Sequence, residues 1–206
     1  MDCQRFVLLL FVSAFFGCGS ATEAPPRVGD WAVEPVKDLP AEPAPARTET
    51  AESAQELAAE IEAVQADARR LQNAFRDGDN AAFVELTYPK IIEAMGGPDK
   101  AQAAVEEATT KMQSAGMTIE SMTFPEEPTF FASETQDFVF VPTLTIFAIS
   151  GKRIESLSFL LGAKPRQTSK WTYIDGSEVG NPNFESWLPD FPPGRTFPKT
   201  YKKISP

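Results

Sequence analysis

The chain has 206 residues, no histidine and only two cysteines, Cys3 and Cys18. A Ser-His-Asp triad, a Cys-His pair and a histidine-containing zinc site are therefore excluded. Gly96-Gly97-Pro98 is a turn with no Lys-Ser/Thr after it, so it is not a phosphate loop. No EF-hand spacing is present. Neither a metal nor a cofactor is implied. What remains is carboxylate and phenol chemistry in the body of the chain, and the thiol of Cys18 near its start.

Cys18 follows an apolar run of 11 residues, Phe6 to Phe16, and a small Gly17. Arg5 supplies a positive flank that Asp2 offsets. At about 1.5 Å per residue the run is too short to cross a ~30 Å hydrocarbon core as a helix, and it reads as the apolar part of a signal peptide. Phe15-Phe16-Gly17-Cys18 resembles the lipobox of bacterial lipoprotein signals. Gly17 and Cys18 match that pattern, whereas Phe15 and Phe16 are bulkier than it prefers. The resemblance implies a signal peptide over residues 1–17 and a lipid on Cys18, with ordinary signal cleavage nearby as the alternative. It places the protein in the cell envelope, attached to a membrane through its N-terminal lipid. Gly19, rather than Asp, after the anchor disfavours retention in the inner membrane, and the choice of membrane stays open. Cysteine usage agrees, because Cys3 leaves with the leader and the mature domain then has no pair to form a disulfide.

Removing the leader takes one acid and one base and leaves the net charge at −10. Such a chain is repelled by phosphate backbones, so nucleic-acid binding is not expected. The C-terminus runs against this trend, with Arg195, Lys199, Lys202 and Lys203 and no acid among them. Two readings apply: a tail that touches anionic lipid or polymer, or a solvated terminus, and the second is the plainer one. Residues 18–50 are rich in Pro, Ala and Glu and cannot bury enough apolar area to offset their ordering entropy, so they read as a disordered, extended tether. Residues 51–180 then form one domain, and 181–206 a C-terminal arm.

Within the domain, Leu57, Ile61, Val64, Ala68, Leu71 and Phe75 are spaced 4, 3, 4, 3, 4 and predict one stripe of a long helix. Asp77-Gly78-Asp79 ends it, and Asp79 or Asn80 can cap a short second helix that Pro89 interrupts or redirects. A third helix carries Ala101, Val105, Ala108 and Met112 on one face and stops at Gly116. The period then changes to two. Strands are predicted over 118–124, 129–132, 138–150, 153–161 and 170–174, with Pro142 marking a bulge or bend in the longest of them.

The helical block with Phe83-Val-Glu-Leu-Thr-Tyr-Pro89, the Gly96-Gly97 turn and the strand Trp171-Thr-Tyr-Ile-Asp-Gly176 resemble the NTF2-like (SnoaL-like, cystatin-like) superfamily over roughly residues 55 to 178. The resemblance implies an α+β cone, with three N-terminal helices packed on a curved antiparallel sheet and an apolar pocket at its open end. Some enzymes of that superfamily use an Asp base with a Tyr or protonated Asp that stabilises an enolate in a dry pocket. Matched by residue type and element, the candidates here are Tyr88, Tyr173 and Asp175, with Trp171 on the same strand face as Tyr173. The plainer readings are a locally bonded Tyr88, core aromatics at 171 and 173, and a turn carboxylate at Asp175.

The arm is dense in Pro and aromatics, from Phe184 and Trp187 through Phe191 to Phe197. It reads as a strap wrapped over the domain, with a partner-binding arm as the alternative. The leading functional expectation is a non-enzymatic envelope lipoprotein that binds a small apolar ligand or a protein partner. A pocket isomerase or dehydratase using a Tyr/Asp pair comes second. A self-associating structural module, a homodimer through the sheet, comes third.

Overall fold

A computed structural model describes residues 51–205. The leader, Cys18, the tether to residue 50 and Pro206 lie outside the described residues. Among the described residues, five helices and an open six-stranded antiparallel sheet give a mixed α+β fold.

Helix α1 (Ala51–Asp77) packs on α2 (Asn80–Leu86), α4 (Pro98–Ser114) and β3 (Gln136–Ile149). The expected stripe is buried from Val64 through Ala68 and Leu71 to Phe75, and Ala74 joins it. It fails at its N-terminal end, where Leu57 is 45% exposed, because the first turns of α1 run past the elements that cover the rest. Gly78 takes φ +75°, a conformation that costs glycine little, and the Asp79 carboxylate accepts from Ala82 N at 3.0 Å to cap α2.

The predicted second helix is two. Proline disfavours helical backbone in the residue before it, and Tyr88 is extended at φ −58°, ψ 130°. The chain therefore breaks between α2 and α3 (Pro89–Ala94). The break places Thr87 beside Tyr173 in an isolated parallel bridge, and Tyr88 N donates to Tyr173 O at 2.9 Å. Helix α4 buries Ala101, Val105, Ala108 and Met112 as expected.

The sheet is built on a long hairpin of β3 and β4 (Lys152–Pro165), in unbroken register from Gln136↔Pro165 to Ile149↔Lys152. On the free side of β3 lie β1 (Met117–Thr123), opposite Leu144 to Ile149, and β2 (Thr129–Ala132), opposite Asp137 to Phe140. On the free side of β4 lie β5 (Thr172–Asp175), opposite Leu160 to Ala163, and β6 (Tyr201–Ser205), opposite Arg153 to Leu157. Pro142 does not bulge β3. It falls between the start of β2, opposite Phe140, and the end of β1, opposite Leu144, where neither strand pairs with it, and the irregularity lies instead in β1 between Ile119 and Ser121.

Alternate residues of the hairpin serve different layers. Val139, Val141 and Thr145 face α1, where Gln72 Nε2 donates to Thr145 Oγ1 at 3.1 Å. Phe138, Phe140 and Phe159 point to the opposite face and are covered by the chain after β5. There a 3₁₀ turn (Gly176–Gly180) and helix α5 (Phe184–Trp187) lead into residues 188–200, which have no helix or strand. Phe191 lies 5.3 Å from Phe138, and Phe197 lies 5.6 Å from Phe140, ring centre to ring centre. The two arm rings stack on each other at 5.7 Å. Both faces of this half of the sheet are thus closed, one by helices and one by the arm.

Candidate functional site

The residues singled out for chemistry gather around β5. Gly162 stands opposite Tyr173 in the ladder, and a Cβ there would lie 2.6 Å from Val139 Cγ1, 3.1 Å from the Tyr173 ring and 3.2 Å from the Trp171 ring. The missing side chain lets both aromatic rings settle onto the sheet beneath α1. Tyr173 is buried, and its hydroxyl reaches across the layer to donate to Asp67 Oδ2 on α1 at 3.2 Å. Burial, the Asp67 charge and this hydrogen bond all raise the phenol well above its ordinary pKa. Tyr173 is therefore a fixed donor, and Asp67 its acceptor.

Trp171 is buried beside Phe130, with ring centres 6.2 Å apart. The Lys164 ammonium lies 4.6 Å from the Trp171 ring centre and 2.7 Å from Glu60 Oε1, tying α1 to the end of β4.

Tyr88 turns elsewhere. Its hydroxyl donates to the Trp187 carbonyl of the arm at 3.3 Å. Burial raises its pKa most, the charges of Asp190 and Glu93 add to the rise, and Gln136 and Lys90 oppose it. Asp175 caps the 3₁₀ turn: its Oδ1 accepts from Ser177 N at 2.8 Å and Ser177 Oγ at 2.5 Å. Burial by the surrounding chain raises its pKa, against the Ser177 bonds and the charge of Lys202.

Tyr88, Tyr173 and Asp175 are thus neighbours in the backbone whose polar groups go to three different partners. The carboxylate that meets one of these two phenols is Asp67. The period-3.6 pattern marks positions 64 and 68 as buried and passes over 67 between them; the available signal was an acid on the border of an apolar stripe. A second carboxylate outside the predicted set is Glu178 of the 3₁₀ turn, 3% exposed, which accepts from Asn181 Nδ2 at 2.8 Å. Burial raises its pKa, the Asn181 bond opposes this, and Asp175 adds to the rise.

A separate groove of about 460 Å³ runs beside α1 and α2, lined by Arg69, Arg70, Asn73, Asp77 and Asp79 over Ala74 and Ala82. Its cations are already engaged. Arg70 pairs with Glu85 at 2.7 Å, and the Arg69 guanidinium lies 4.6 Å from the Phe124 ring centre. Among the described residues no group of His, Cys, Asp and Glu is placed to hold a metal ion, and no helix is long and apolar enough to cross a membrane.

No protein-family description, curated protein or solved structure matches the chain. The class that the coordinates define is an α+β domain with an open antiparallel sheet, compatible with a cone-like arrangement.

Proposed function

We propose that this chain is an exported, lipid-anchored envelope protein whose NTF2-like domain works by engaging a protein partner rather than by catalysis. One observation carries the preference. The groups that pocket chemistry would use are occupied in holding the fold, Tyr173 with Asp67, Tyr88 with the arm and Asp175 with its own turn. The Tyr173 and Trp171 rings pack against Gly162 and fill the space beneath α1.

The partner surface in this reading is the outer half of the β3–β4 hairpin on the arm side. Leu144, Ile146 and Leu157 lie there on one face, half-buried and outside the core cluster. A photo-crosslinking residue at position 146 tests it in the native envelope. A discrete crosslinked band that is lost with Leu144→Ser supports the proposal, and no band, or one that persists in the variant, refutes it. If that band is a second copy of this chain, native mass spectrometry of the purified domain shows a dimer, and the module is self-associating.

The enzyme reading survives in one form, with Asp67 in place of Asp175 beside Tyr173. A substrate must then reach a hydroxyl whose residue is 1% exposed. Turnover of any carbonyl substrate that is abolished by Asp67→Asn would establish it over the binding reading.

A further inference from the structure

The basic C-terminus is an ordered edge. Residues 201–205 form β6, paired with β4 from Tyr201↔Leu157 to Ser205↔Arg153. Lys203 and Lys202 stand opposite Glu155 and Ser156 of β4, Lys152 and Arg153 lie at the end of this edge beside Ser205, and Lys199 lies just before β6 at its other end, all five cations exposed. The acids at this corner are few. Glu155 takes the Tyr201 hydroxyl at 2.5 Å, Glu120 pairs with Arg153 at 2.8 Å, and Asp175 lies within the field of Lys202. Among the described residues, Lys152, Lys199, Lys202 and Lys203 form no salt bridge. In a chain of net charge −10, this corner is locally cationic.

Lysines on an outer strand have a common structural purpose, since they discourage pairing with other sheets. That purpose does not explain the company they keep. Ile204 is 66% exposed and Tyr201 45%, both on the same short strand, and exposed apolar side chains weaken such a defence. A cation beside an apolar side chain on each face of the strand suits a surface that is anionic outside and apolar just beneath. A soluble polyanion offers nothing to Ile204, whereas a bilayer with anionic headgroups satisfies both kinds of side chain.

We infer that the edge made by β6 and the start of β4 docks on an anionic phospholipid surface. Lys202 and Ile204 lie on one face of the strand, and Tyr201 and Lys203 on the other, so the approach is edge-on. The lysines meet headgroup phosphates while Ile204 enters the interface. This contact requires no acyl chain on Cys18 and is separate from the Leu144–Ile146 surface. It would act as a second, reversible attachment for a protein already tethered.

The test uses the chain from residue 19, which contains every buried residue of the described core, Val64 to Leu188. It is sedimented with vesicles of phosphatidylcholine plus phosphatidylglycerol, and with phosphatidylcholine alone. Binding is expected to the anionic vesicles only and to fall as salt is added. Lys202→Ser with Lys203→Ser should weaken it roughly tenfold or more, from the loss of two surface cations. Ile204→Ser should weaken it without changing the salt dependence. Unchanged thermal unfolding of these exposed variants shows that the fold is intact. Absence of binding at low salt, or binding equal in the double lysine variant, overturns the inference. Equally tight binding of soluble polyphosphate, indifferent to Ile204→Ser, also overturns it and makes the edge a polyanion site.

Discussion

Tyr173 shows how one side chain can look catalytic and act structurally. Its ring lies over Gly162, the only ladder position without a Cβ among the described residues, and its hydroxyl is turned to Asp67. Tyr173→Phe removes one hydrogen bond and leaves Asp67, half-exposed, free to meet water, so the expected cost is about 1 kcal/mol, read as a lower denaturant midpoint. Spectrophotometric titration should also show the Tyr88 phenol ionising above the ordinary value of about 10 and the Tyr173 phenol well above it. Glu178 gives the opposite test. A carboxyl whose folded pKa is raised stabilises the fold most when protonated, below its unfolded pKa near 4.3, and that contribution is lost as pH rises through the folded value. Glu178→Gln keeps an acceptor for Asn181 without the charge. It should raise the melting temperature at neutral pH, with the advantage shrinking as the pH falls.

At the scale of elements, the arm is the least self-sufficient part. Between α5 and β6 it has no regular structure, and it is held by rings and by one carboxylate. Asp190 accepts from Ser133 Oγ at 2.7 Å, from Gln136 Nε2 at 3.0 Å and from the Thr135 hydroxyl, fastening the arm to the turn between β2 and β3. Partial burial works against its charge, but these bonds win and hold its pKa below the ordinary carboxylate range. The stabilisation from this latch is therefore present above the unfolded pKa, about 3.9, and fades as pH falls through the folded value. Asp190→Ala should cost about 1–2 kcal/mol and speed hydrogen exchange over residues 188–200, while β3 and β4 stay protected. Equal exchange in variant and wild type would remove the latch from this account. The element pattern also shows where reading by period worked. Helices α1 and α4 and the hairpin strands carry long runs of one period. The division at Tyr88 follows from Pro89 itself, whereas the regular passage through Pro142 depended on which strands stood beside it, which no local window contains.

At the scale of the whole molecule, a domain with one half of its sheet closed on both faces stands behind residues 18–50 and a candidate lipid on Cys18. The proposed topology predicts that the full chain incorporates labelled palmitate in its own envelope and that Cys18→Ala abolishes it. Incorporation that survives the substitution would refute the anchor. With an acyl chain at one end and a cationic edge on the domain, membrane association would have two parts, and each can be removed without the other.

The sequence by itself determined the excluded chemistries, the α+β order of elements and the positions of the long amphipathic runs, because residue type and period act locally. Only the tertiary structure decided what each polar group does. Tyr88 bonds the backbone of β5, which carries both Tyr173 and Asp175, yet the partners of their polar groups come from the arm, from α1 and from the next turn, at separations of 99, 106 and 2 residues. A hydrogen bond is fixed by a few tenths of an ångström in three dimensions. The sequence could name the groups able to make such bonds, and packing chose among them.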